Sequence, residues 1–155
     1  MSVIITDAGF AADDFDGDFV ALCDVTLEVP GAVDVPSDAE PDAVRTVMQA
    51  PMIRIAFPSF ADGRGFTLAA ILRRAGYQGR LRAYGHVIAD QYAMARRSGF
   101  DEVEISEKLA DRQPEPQWLA RADWRAHDYQ ARMRGQTLSL FLTNQRSGVT
   151  TAANE

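Results

Sequence analysis

The 155-residue chain holds one cysteine, one lysine and two histidines, and no Lys or Arg before residue 45. A single thiol, Cys23, excludes an internal disulfide, a CxxC redox pair and a cysteine-ligated iron–sulfur cluster. Apolar runs are short. The longest, 19–23 and 68–72, have five residues each, where a membrane span needs about 20. The first thirty residues carry seven acids and no base, the reverse of a secretory signal's cationic start and apolar stretch. These absences point to a cytoplasmic protein that crosses no membrane. Clustered bases with interleaved aromatics are also missing, and a net charge of −6 is repelled by phosphate, so nucleic acid is excluded as a partner. There is no P-loop Lys-Ser/Thr, no nucleophile elbow, no dinucleotide fingerprint after a strand and no cluster of zinc ligands.

What is present is ordinary globular material: 46% apolar, 25% charged and 9% aromatic residues, enough for one domain to bury about two thirds of its unfolded surface. Charge is uneven. Residues 1–44 sum to −11 and residues 45–155 to +5. An acidic N-terminal arm (1–35) either folds back on the basic remainder, meets a basic partner, or stays solvated. Asp14, Asp16 and Asp18 alternate as in a calcium loop, but Phe19 stands where that loop needs Gly, and Val25 where it needs Glu.

The spacing predicts a strand over 3–6, a turn-rich stretch over 7–18 and a brief strand over 32–35. A helix follows, capped by Ser37 or Asp38 and running to about Ala50, where Pro51 stops it. Ile53, Ile55 and Phe57 alternate as a strand, and 58–65 is a loop. Leu68, Ile71, Leu72 and Ala75 recur at helical spacing up to Gly76. Further on come a strand over 80–84, a helix over 87–98 stopped by Gly99, and a strand over 102–105. A Pro-containing linker (106–117), a helix over 118–134, a late strand over 137–143 and a polar, disordered tail (144–155) complete the reading, with 1–143 as a single domain.

Strand–helix alternation with short links implies right-handed crossovers and a mainly parallel α/β sheet. Parallel strands covered on both faces read as unbroken apolar runs. Here Arg54, then Arg80, Arg82 and Tyr84, then Glu102 and Glu104, interrupt one side. The helices are therefore expected mainly on one face, with consecutive strands laid down in order. The other face is polar, or covered by the arm, the C-terminal segment or another subunit. A doubly wound three-layer sandwich is the alternative.

Ligands of such sheets collect outside the carboxyl ends of the strands. Two loops leave those ends. In the first, Asp62-Gly63-Arg64-Gly65 opens a helix. The Gly63 and Gly65 amides, the helix start and the Arg64 guanidinium suit a small anion, while the same residues equally make a tight turn with a capping Asp and a paired Arg. In the second loop His86, Asp90 and Gln91 are placed to converge with them. Asp62, His86 and Asp90 are candidate proton carriers, and Asp62, Gly63, Arg64, Gly65 and Gln91 candidate ligand contacts. Asp90 in a first helical turn also needs no role beyond the dipole. Cys23 reads as an inert, partly buried thiol. The His127-Asp128 pair lacks the further histidines of a metal site, and no metal or cofactor is expected.

The run Phe57-Pro58-Ser59-Phe60-Ala61-Asp62-Gly63-Arg64-Gly65-Phe66, followed by Leu72-Arg73-Arg74, Gly76-Tyr77-Gln78-Gly79, Leu81-Arg82-Ala83, Asp90-Gln91 and Gly99-Phe100-Asp101, resembles the bacterial family called domain of unknown function 934. The match is dense over 53–105, with a fainter echo at Tyr129-Gln130, and His86 departs from the family's pattern. The resemblance implies an accessory role in assimilatory sulfite reduction and sulfate assimilation, because the family's genes commonly neighbour those enzymes. The partner implied is sulfite reductase or another sulfate-assimilation enzyme, which would carry the electrons. A homodimer, and a small enzyme or anion-binding domain for an oxyanion or phosphorylated metabolite, are the alternatives.

Overall fold

The computed structural model describes residues 2–28 and 30–125. Residues 2–123 form one unit around a seven-stranded open sheet. Its strands are β1 (Ser2–Thr6), β2 (Gly9–Ala11), β3 (Val20–Ala21), β4 (Ala32–Val35), β5 (Met52–Phe57), β6 (Arg80–Gly85) and β7 (Glu102–Ser106), in spatial order β2-β1-β7-β6-β5-β4-β3. β3 to β7 run parallel to one another, whereas β1 pairs antiparallel with both β7 and β2. Trp124 and Arg125 open a separate unit, with the Arg125 guanidinium carbon 5.0 Å from the Trp124 ring centroid. The expectations for His127-Asp128, Tyr129-Gln130, the strand over 137–143 and the tail lie outside the described residues.

β3 to β7 sit in sequence order, so every right-handed crossover lands on the same side. The sheet therefore has one helical face, and the doubly wound alternative does not hold. Alternate strand residues Val33, Val35, Ile53, Ile55, Phe57, Leu81, Ala83, Val103 and Ile105 are all buried beneath the helices. Helices α1 (Pro41–Arg45), α2 (Arg64–Arg74), α3 (Tyr92–Ser98), α4 (Glu107–Arg112) and α5 (Glu115–Leu119) supply the other half of the core. Phe57, Phe66 and Phe100 meet there with ring centroids 4.9–6.4 Å apart, and Tyr92 packs edge-on to Trp118 at 6.1 Å.

Three expectations about helices change. The helix from Ser37 to Ala50 shrinks to α1, entered through Glu40 with Pro41 at its first position and no side-chain cap. Past Arg45 the amides of Thr46, Val47 and Met48 bond three residues back, which tightens the chain into turns. The helix over 87–98 becomes a one-turn 3-10 segment, Ala89–Gln91, leading into α3. The 106–117 linker instead contains α4, capped by the Ser106 hydroxyl accepting from the Leu109 amide at 3.3 Å, and α5, which starts before Trp118 and ends at Leu119.

The helix-free face is where the acidic arm folds back. Arg54, Arg80, Arg82, Glu102 and Glu104 alternate with the core residues and point to this side, and residues 12–19 cross over them between β2 and β3. Asp13 takes a bidentate pair from Arg82 (2.9 and 3.0 Å), Asp14 accepts from Arg80 (2.6 Å), and the Phe19 ring lies 3.7 Å from the Arg54 guanidinium carbon.

Candidate functional site

A cavity of about 590 Å³ opens at the carboxyl ends of β5, β6 and β7. Ala56, Phe57 and Pro58 form one wall, Tyr84, Gly85 and His86 another, and Glu104, Ser106 and Leu109 a third, with Ser2 beside them. It lies where open α/β sheets hold their guests. Gly85 makes the turn from β6 into this rim: its φ is 117°, and an added Cβ would sit 2.7 Å from the Phe57 carbonyl oxygen. The following amide, that of His86, donates to that same carbonyl at 2.8 Å. The His86 imidazole is exposed at the mouth.

Inside, the polar groups differ in commitment. Glu104 is 4% exposed and receives Arg82 at 2.7 Å and Arg54 at 3.1 and 3.2 Å. The Ser106 hydroxyl caps α4. Tyr84 stacks on the Arg54 guanidinium, 4.2 Å from ring centroid to carbon, and remains 39% exposed. The cleft thus presents an imidazole, a phenol and hydroxyls to a small polar guest, beside a carboxylate already neutralised by two guanidinium groups. Tyr84, Glu104, Ser2 and Ser106 escaped the sequence reading as site residues. Their signal was the polar side of the strand alternation, read where the strands end.

The other candidates sit around this rim rather than in it. Asp62 receives Arg64 twice, Nε at 3.0 Å and Nη2 at 2.8 Å, and its Oδ1 also accepts the Arg64 amide at 3.1 Å. Those bonds hold the Asp62 carboxyl well below the usual carboxylate range. Arg64 reaches on to the Ser37 hydroxyl at 3.2 Å, and its side chain is 60% exposed. Gly65 is buried against the Phe57 ring, where a Cβ would fall 2.5 Å from Cζ. Close packing against that ring accounts for glycine at this position. Gly63 is exposed and unobstructed. Asp90 pairs with Arg121. Gln91 ties the two loops together: its Oε1 accepts the Ile88 amide at 3.1 Å and its Nε2 donates to the Phe60 carbonyl at 2.7 Å. The two crossover starts therefore share one rim, with Asp62, Arg64 and Asp90 paired outside the cleft and His86 lining it. Among the described residues no group of three or more His, Cys, Asp or Glu could hold a metal ion, and no helix is long and apolar enough to cross a membrane. Cys23 is exposed, not partly buried as expected.

The remaining motifs of the resemblance meet at the opposite ends of the strands, on Arg73. Its Nε donates to the Gly99 carbonyl (2.9 Å), Nη1 to the Tyr77 and Gly79 carbonyls (2.9 and 2.8 Å), and Nη2 to Asp101 (3.0 Å). Asp101 in turn accepts the Leu81 amide at 2.9 Å. The Tyr77 hydroxyl donates to the Ala50 carbonyl at 2.8 Å, and burial lifts that phenol to about 12. This planar fork clasps the entries to β6 and β7.

A family model described as "Bacterial protein of unknown function (DUF934)" matches residues 32–140, more than two thirds of the chain. The chain belongs to the DUF934 family. The Arg73 clasp and all of the His86 cleft's lining except Ser2 fall within the DUF934 match, whereas the acidic strap over 12–19 precedes it. No curated protein and no solved structure matches the chain.

Proposed function

We propose that this DUF934 protein is an accessory protein of assimilatory sulfite reduction, acting beside a redox enzyme that carries the electrons. What supports the reading is membership of the DUF934 family over residues 32–140, and the lack of cysteine in that span, since Cys23 lies before it, limits the role to an accessory one. Reducing sulfite to sulfide takes six electrons, and the thiolates that anchor iron–sulfur clusters have to come from another chain. The exposed carboxylates Asp16, Asp18, Asp24 and Glu28 offer a basic partner surface an electrostatic landing site. Affinity capture of the full chain from its own bacterium at low salt is the test. Sulfite reductase or another sulfate-assimilation enzyme should be recovered and released as salt rises; recovering none of them overturns the reading.

A second reading, an oxyanion-binding domain, is favoured by Arg64. Its Nη1 has no partner among the described residues, and it opens the eleven-residue α2. Sulfite, sulfate and phosphate are then expected to raise the melting temperature of the wild type and not of Arg64→Ala. A flat screen removes this reading.

A further inference from the structure

Residues 12–19 join β2, at one edge of the sheet, to β3 at the other, so they must traverse the whole helix-free face. The strap is bent, not extended: the Asp13 carboxylate accepts the Phe15 amide at 3.0 Å, and the Phe15 and Phe19 rings meet at 5.0 Å across the bend at Gly17. It is held to the face at Asp13, Asp14 and Phe19 and to the sheet at its two ends.

The two ends are unequal. β2 is backed by β1 over three residue pairs, while β3 rests on β4 through two, Val20 opposite Val33 and Ala21 opposite Asp34. Between the ends, the strap grips guanidinium groups that the cleft also uses. Arg54 is stacked between Phe19 of the strap at 3.7 Å and Tyr84 of the cleft at 4.2 Å. Arg82, fully buried, is shared between Asp13 of the strap and Glu104 of the cleft. Strap and cleft hold the same two cations, and on Arg82 they share one nitrogen, Nη1.

We propose that the 12–19 strap regulates the cleft: seated, it locks Tyr84 and Glu104 in place through Arg54 and Arg82, and release at its β3 end loosens both. Detachment admits water to Arg82 and Arg54, which weakens every pair they make by raising the local dielectric. Strap seating and cleft shape are thus two readouts of one equilibrium, and a guest that fits the seated cleft tightens the strap by the same factor. This holds whether or not the protein assists sulfite reduction.

The test uses the full chain and two measurements. Chymotrypsin cutting after Phe15 and Phe19 reports the strap, and the ring-proton NMR signals of Tyr84 and His86 report the cleft. In Asp13→Asn/Asp14→Asn, cleavage should quicken about tenfold, since two ion pairs of modest strength are lost. The Tyr84 and His86 signals should move, while those of Tyr77, at the far ends of the strands, stay put. Faster cutting with unmoved cleft signals overturns the proposal, as does unchanged cutting. Should the variant fail to fold, the wild type titrated with salt to about 1 M serves instead. Cleavage rate and cleft signals must then change over the same salt range, and separate ranges or no change overturn the linkage.

Discussion

Arg82 donates to Glu104 across 2.7 Å on the sheet face that carries no helix, and the guanidinium has no exposure to water at all. It also donates to Glu102 at 3.0 Å, so removing it takes a donor from two nearly buried carboxylates at once. Breaking one side of a buried ion pair costs about 3–5 kcal/mol. Arg82→Met is expected near the lower figure, because Arg80 and Arg54 still hold the two carboxylates. Urea denaturation measures this, and a loss under about 1 kcal/mol would mean the pair contributes little.

Arg73→Lys should behave as a disruptive change. The ammonium cannot reproduce the fork that reaches three carbonyls and Asp101. At about 1 kcal/mol per lost bond, the variant should lose about 2–3 kcal/mol. Arg74→Lys, on the exposed neighbour, should be silent in the same denaturation series.

Gly85→Ala forces a side chain into a left-handed backbone and into the Phe57 carbonyl. Strain of this kind costs about 1–3 kcal/mol. The rim should reorganise as well, visible as movement of the His86 ring signals, whereas Gly63→Ala, whose Cβ meets only the Phe66 ring at 4.0 Å, should leave them in place.

Acid should loosen the α2 entry and the strap together. The Arg64 side chain and amide hold the Asp62 carboxyl below its ordinary value, and Arg82 does the same for Asp13. A carboxylate whose folded value is depressed stabilises the fold above its unfolded value of about 3.9, and that stabilisation is lost as pH falls through the folded value. Melting temperature should therefore drop as pH goes from about 5 to about 2. Asp62→Asn should melt below the wild type at neutral pH and with a shallower slope; an identical slope would show that Asp62 contributes nothing.

The sidedness of the sheet was legible because Arg54, Arg82, Glu102 and Glu104 fall on alternate strand positions, and a parallel strand with polar side chains on one side cannot carry helices there. The edge strands were not, since two or three residues at Gly9 and Val20 are too few to show a period. The α4–α5 stretch read as linker because of Pro114 and Pro116, yet proline is well suited to a helix's first turn. At the site, the pairing of Asp62 with Arg64 was legible, because residues two apart in a tight turn can reach each other. The Asp90–Arg121 pair and the Glu104–Arg54 pair join residues far apart in the chain, a relationship that only the fold supplies. Glu104 and Tyr84 could be placed on the helix-free face, but not assigned to what covers it, for the same reason.

The sheet's outermost strands, three residues in β2 and two in β3, offer a passing chain very few unpaired main-chain groups to grip. A β-rich interior of this kind, bordered by stubs too brief to template a neighbour, resists edge-to-edge fibril growth by geometry alone. Lengthening either stub with β-branched residues would be the change that most endangers solubility on storage.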